Sequence, residues 1–114
     1  HEGDIYALAE SAAKALLVSG SWDKTIRVWD AKSYSCLKTL TLHQETVYAL
    51  VIGQRGELVS GSADNTIRVW DMVSGECRKT LVGHTDGVRA LCVANNGLLV
   101  SGSVDNTIKI WDIS

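Results

Sequence analysis

Serine, histidine and aspartate are the side chains from which a hydrolase builds its nucleophile, base and orienting acid, and they fall near one another three times in these 114 residues. The sets are His1, Ser19 and Asp23; His43, Ser60 and Asp64; His84, Ser101 and Asp105. An active site is usually built once, from non-equivalent residues, whereas these sets recur at almost one spacing, as a folding requirement does. The chain is therefore expected to be non-catalytic, since a motif gains weight only from its structural context. The histidines lie a full repeat apart and none belongs to a cluster with ligand spacing, so no metal site is expected. Gly20, Gly61 and Gly102 also recur with the repeat and read as places of close backbone packing, not as a phosphate-binding loop. No cofactor is implied.

The elements that position these residues follow from the repeat. Ser-Gly-Ser occurs at Ser19, Ser60 and Ser101 with a spacing of 41 (19 to 60, 60 to 101), and Trp-Asp follows at Trp29, Trp70 and Trp111. Between them one template runs three times, as Asp23-Lys24-Thr25-Ile26-Arg27-Val28, Asp64-Asn65-Thr66-Ile67-Arg68-Val69 and Asp105-Asn106-Thr107-Ile108-Lys109-Ile110. Each unit divides into short runs of Val, Ile, Thr, Leu and Trp separated by polar turns, with no proline and no long helical period. The pattern predicts an all-β chain of antiparallel strands. In the third unit, strand a is read as Val88 to Val93, b as Leu98 to Ser103 and c as Thr107 to Trp111, with Asn96-Gly97 favouring a tight a–b hairpin. Strand d is read as Cys36 to Leu40 and as Cys77 to Val82, and the third unit stops short of one, so eleven strands are expected. The first unit carries one extra residue between His1 and Ser19, and its a–b loop lacks the glycine found at Gly56 and Gly97.

Bulk properties narrow the partners. A hydrophobic share of 46% supports a packed core, and 11 basic against 13 acidic residues, net -2, leave no electrostatic footprint for nucleic acid or a membrane surface. No apolar run is long enough to span a bilayer, and His1-Glu2-Gly3-Asp4 is not the basic start of a signal peptide. Three cysteines, two of them at equivalent positions (Cys36 and Cys77), do not suggest a disulfide framework. Cys92, between Leu91 and Val93, reads as a buried small hydrophobe. An intracellular location, cytoplasmic or nuclear, is expected.

These motifs identify the family: the chain resembles the WD-repeat β-propellers over essentially its whole length. Gly83-His84, the degraded Leu42-His43 and the opening His1 stand at the family's Gly-His element, and Trp-Asp is intact in all three units. The resemblance implies four-stranded antiparallel blades standing radially around a channel, with the sequence repeat offset from the blade. It also implies a side-chain network in each unit: His1, Ser19, Asp23 and Trp29; His43, Ser60, Asp64 and Trp70; His84, Ser101, Asp105 and Trp111. The chemistry suits it, because a buried indole N–H needs an acceptor and a serine hydroxyl can accept it and donate onward to an imidazole. By parity Ser21, Ser62 and Ser103 compete for the serine place. A tryptophan over each serine would also bury the hydroxyl that a hydrolase must expose.

In this family, contacts concentrate on the face formed by the d–a and b–c loops. Three positions per unit project there, carrying Asp4, Tyr6 and Trp22; Thr46, Tyr48 and Ala63; Gly87, Arg89 and Val104. They vary while the network does not, and Tyr, Trp and Arg are the types that dominate binding hot spots. Trp22 is the one tryptophan outside the repeat; packing on a neighbouring loop is its ordinary alternative. Arg27, Arg68 and Lys109 share one strand-c position and read as structural or solvated. The implied function is a protein-interaction scaffold for a protein or peptide. Its alternatives are a substrate-recognition propeller of a ubiquitin ligase or signalling complex, or a designed or structural array without a dedicated partner. The chain reads as one array of repeats, 1–42, 43–83 and 84–114, forming part of a larger propeller whose last blade lacks its outer strand. Three blades do not close a ring, so remaining blades or further copies are expected.

Overall fold

β-branched and aromatic residues in runs of four to seven, cut by polar turns, form eleven strands and, among the described residues, no helix. The computed structural model describes residues 2–11 and 13–113. The strands are β1 (Ile5–Ser11), β2 (Leu16–Ser21), β3 (Ile26–Asp30), β4 (Cys36–Leu40), β5 (Val47–Ile52), β6 (Leu58–Ser62), β7 (Thr66–Trp70), β8 (Cys77–Val82), β9 (Val88–Val93), β10 (Leu99–Ser103) and β11 (Ile108–Trp111). They make three antiparallel meanders, β1 to β4, β5 to β8 and β9 to β11. The all-β architecture of partial propeller blades expected from the sequence is what the structure has.

One sheet cannot cover its own faces, so the cores lie between sheets. Ile26 and Val28 of the first sheet pack in one cluster with Val47, Leu58, Trp70 and Met72 of the second. Ile67 and Val69 of the second sheet pack likewise with Val88 and Leu99 of the third. The first strands β1, β5 and β9 stand side by side. Close approach is possible because the middle residue of Ser-Gly-Ser is glycine: a Cβ on Gly20 would lie 2.6 Å from Val47 Cγ1, and one on Gly61 would lie 2.8 Å from Val88 Cγ1.

The a–b hairpins differ from the two-residue Asn-Gly turn that the sequence suggests. The Gly97 N–H donates to the Ala94 carbonyl at 2.9 Å, and Gly97 itself takes the left-handed conformation (φ +84) after the turn. Gly56 does the same at φ +81. In the first unit the inserted residue adds a rung, Ser11 opposite Leu16, and Ala15 takes the left-handed place (φ 53) without a glycine.

Three local expectations need correction. Leu98 belongs to the turn and β10 starts at Leu99, because the Leu98 N–H is held by Asn96 Oδ1 at 3.1 Å. β11 starts at Ile108 and not Thr107, since Thr66 pairs with Val82 of an outer strand and the third sheet has no such strand. Cys92 is exposed, because its face of β9 is one that no further sheet covers. All three thiols are free. Arg27 and Arg68 are half-buried, with each Nε shielded from solvent, so they form no exposed basic stripe.

Candidate functional site

Two constellations emerge, one inside each sheet and one on its rim. In the second sheet the Trp70 indole N–H donates to Ser60 Oγ at 2.8 Å, Ser60 Oγ lies 2.6 Å from His43 Nε2, and His43 Nδ1 lies 2.9 Å from Asp64 Oδ2. The third repeats this with Trp111, Ser101, His84 and Asp105 at 2.8, 2.7 and 2.8 Å. In the first, the Trp29 indole donates to Ser19 Oγ at 2.9 Å, and Asp23 Oδ2 accepts the Glu2 N–H at 2.9 Å; His1 lies outside the described residues. A carboxylate only accepts, so the neutral imidazole carries its proton on Nδ1 and takes the serine hydroxyl proton on Nε2.

The competing serines have a different task. Ser21, Ser62 and Ser103 donate to the carbonyls of Asp4, Glu45 and Asp86 at 2.9, 3.2 and 3.1 Å. Each also accepts the N–H of the network aspartate, tying the d–a loop to the b–c turn. Sequence reasoning missed Thr25, Thr66 and Thr107, whose hydroxyls donate to the second carboxylate oxygen of Asp23, Asp64 and Asp105. Their signal was available: a threonine stands two residues after every network aspartate.

Burial pushes the Asp64 carboxyl up, but hydrogen bonds from His43, Thr66 and the Gln44 N–H outweigh it and hold it well below the usual carboxylate range. Asp105 is held equally low, first by the Thr107 hydroxyl and, against burial, by His84 and the Thr85 N–H. The order serine, histidine, aspartate is that of a hydrolase relay. Ser60 and Ser101, however, are 0% exposed and Ser19 is 3% exposed, and each hydroxyl oxygen already faces an indole N–H. No substrate carbonyl can reach them in this conformation. Among the described residues no group of histidine, cysteine and carboxylate side chains is arranged to hold a metal.

The rim constellation is built by a recurring β-bulge. Ile5 pairs with Ser21 and Ala7 with Gly20, so Tyr6 is the extra residue of β1. Tyr48 is the extra residue of β5 and Arg89 that of β9. A bulge re-aims the side chain it carries, and here the three re-aimed side chains meet across sheet boundaries. The Tyr6 and Tyr48 rings lie edge to face with centroids 5.5 Å apart, and the Arg89 guanidinium sits 4.0 Å above the Tyr48 ring centre.

The other rim positions divide by exposure. Asp4, Trp22, Val104 and Arg89 are exposed, with Tyr6 at 51% and Trp22 at 62%. Tyr48 and Ala63 are half-buried, whereas Thr46 and Gly87 are buried. A Cβ on Gly87 would stand 3.3 Å from the Ala63 Cα, so blade contact occupies that position. Trp22 leans on its own d–a loop, where a Cβ on Gly3 would be 3.0 Å from the indole Cε3, and keeps its outer surface free. The largest cavity, about 490 Å³, lies at the opposite end of the strands, among Lys14, Arg55, Trp70, Asp71 and Arg78. No helix among the described residues is long and apolar enough to cross a membrane.

Comparison with known proteins agrees with this geometry. The family model described as WD domain, G-beta repeat matches residues 1–30, 34–71 and 75–112. The match over 34–71 takes the outer strand β4 of the first sheet and then β5, β6 and β7 of the second, so the family's repeat is offset from the sheet. Among curated proteins, the chain is similar to WD repeat-containing protein 18 of Mus musculus, 38% identical over 46% of this chain and 12% of that protein. It is similar also to F-box-like/WD repeat-containing protein TBL1X of Mus musculus, 37% identical over 45% of this chain and 10% of that protein. A third is nuclear distribution protein PAC1 of Mycosarcoma maydis, 47% identical over 41% of this chain and 10% of that protein. The matched stretches thus span 12% or less of these relatives' own lengths. The relatives point to a propeller of the protein-interaction type. With three family-model matches in register with three sheets of one design, the chain belongs to the WD domain, G-beta repeat family.

Proposed function

We propose that this chain is a non-catalytic docking scaffold that receives a protein or peptide on the rim formed by its d–a and b–c loops. The observation that carries the reading is the run Tyr6, Tyr48 and Arg89. These residues occupy one equivalent position, differ in chemistry from what the scaffold repeats, and form one partly exposed aromatic and cationic strip across three sheets. Trp22, Asp4 and Val104 extend it; Thr46, Ala63 and Gly87 support it from beneath. The Trp-Ser-His-Asp relays serve as fasteners under this rim, and their buried serines do no acyl chemistry. The surface belongs to a ring of more than three blades, completed by further blades or further copies.

Charge selects among partners. The carboxylates of Asp4, Glu45 and Asp86 are exposed on the same loops and outnumber Arg89, so a basic or aromatic segment suits the rim better than an acidic one. A substrate-recognition role in a ubiquitin ligase or signalling complex is a second reading. It is favoured by Arg89, by similarity to a protein named F-box-like, and by an intracellular setting for free thiols. The test is to select peptides from a random displayed library on the chain and measure their affinity for Trp22→Ala and Arg89→Ala. Loss of about 2 kcal/mol, roughly thirtyfold, at Trp22 with unchanged thermal unfolding is expected. Selected peptides that bind both variants as well as the parent would remove the rim from the site. Enrichment of phosphorylated over basic peptides would favour the second reading.

A further inference from the structure

We propose that the uncovered face of the third sheet receives the uncovered face of the first sheet of a second copy of this chain, closing a ring of two copies. The argument begins from a junction the chain already builds twice. At both internal junctions a glycine of the second strand admits a valine from the first strand of the next sheet: Gly20 faces Val47, and Gly61 faces Val88. Gly102 holds that place in the third sheet, and a Cβ there would meet nothing nearer than Ala90 Cβ at 3.8 Å. The residue equivalent to Val47 and Val88 in the first sheet is Ile5, which is 54% exposed where both valines are 0%.

The neighbouring positions follow the same rule. Ile26 and Ile67 are fully covered by the sheet that follows them, whereas their equivalent Ile108 is 75% exposed. Val28 and Val69 are buried, whereas Ile110 is exposed. On the receiving side Leu50 and Leu91 pack against the preceding sheet, and Leu8, their equivalent, is exposed. Both halves of one junction are therefore present on every chain, and both lie bare.

A second copy matches these faces residue for residue, because each bare face has the composition of a face already paired inside the chain. This is a heterologous, head-to-tail contact, which closes only if the rotation per sheet permits. Propellers close with about four to eight blades. With three sheets per chain, two copies are the only multiple within that range, and the closed ring contains two new junctions of the internal kind. The contact lies on sheet faces and not on the docking rim, so its failure would leave the rim reading standing, and failed peptide capture would leave this one standing.

Sedimentation equilibrium of the chain over a concentration series into the micromolar range tests it, with Gly102→Val and Ile108→Lys beside the parent. Gly102 lies in β10 outside the left-handed region and has open space beside it, so valine fits the single chain but strikes the incoming Ile5. The parent is expected at twice its sequence mass, and both variants are expected to associate at least about tenfold more weakly. Should Gly102→Val fail to fold by circular dichroism, Ile108→Lys carries the test. A parent of single-chain mass would assign both faces to further sheets of one longer polypeptide and overturn the proposal. So would open-ended polymers, or a dimer equally stable in the variants.

Discussion

In each described relay the direction of proton donation is dictated by what every group can do. An indole only donates and an ionised carboxylate only accepts, so serine and histidine between them must pass the bond from strand c to the b–c turn. The pair His43 and Asp64 is nearly sealed, with side-chain exposures of 1% and 9%, where a missing partner is costly. The depressed Asp64 carboxyl has a consequence for acid stability. Its folded value lies below the unfolded one of about 3.9, so its contribution is fully present above that pH and is lost as the pH falls through the folded value. Melting temperature is expected to decline below about pH 4. Asp64→Asn should melt lower at neutral pH and lose part of that decline. Part of the slope will remain, because Asp105 is held low by the Thr107 hydroxyl and Asp30 and Asp71 by the N–H groups of Lys32 and Val73. Melting curves followed by circular dichroism at stepped pH check this, and identical slopes for parent and variant would contradict the assignment.

At the scale of strands and turns, the repeated template was enough to place the strands, since alternation and turn residues recur at a fixed spacing. The strands read as Cys36 to Leu40, Cys77 to Val82 and Val88 to Val93 have those bounds in the structure. Other features were not legible because they depend on neighbours. The bulges at Tyr6, Tyr48 and Arg89 leave no mark on the apolar pattern, and the exposure of Cys92 depends on whether another sheet follows. Left-handed residues were hidden too, at Lys24, Asn65 and Asn106 in the b–c turns and at Tyr34 in a c–d turn. Tyr34 has φ 60 where the second unit has Gly75 at φ 78, and its N–H donates to the Asp30 carbonyl just as that of Gly75 donates to Asp71. The tyrosine side chain is 73% exposed and has little packing to lose. Tyr34→Gly is therefore expected to stabilise the chain by about 1 kcal/mol through relief of the left-handed cost. Chemical denaturation measures it; a loss of stability would mean that Tyr34 packs more than its exposure indicates.

For the whole molecule, repetition and variation separate two jobs. Positions that stay the same, such as Trp70 with Ser60 or Gly61 beside Val88, join strands within a sheet and sheets to each other. Positions that change gather on one rim, where bulges turn Tyr6, Tyr48 and Arg89 toward one another across three sheets. Both residue sets could be chosen in the sequence by comparing units, but the burial of Thr46 and Gly87 could not, because contact between adjacent sheets decides it. The four tryptophans sample both jobs in one molecule, three holding the relays and Trp22 standing on the rim. Hydrogen exchange of their indole N–H groups, resolved in one set of nuclear magnetic resonance spectra, tests the division most directly. The account predicts slow exchange for Trp29, Trp70 and Trp111, slowest for the fully buried Trp70, with Trp22 exchanging near the rate of a free indole. A Trp70 indole that exchanges as fast as Trp22 would contradict it.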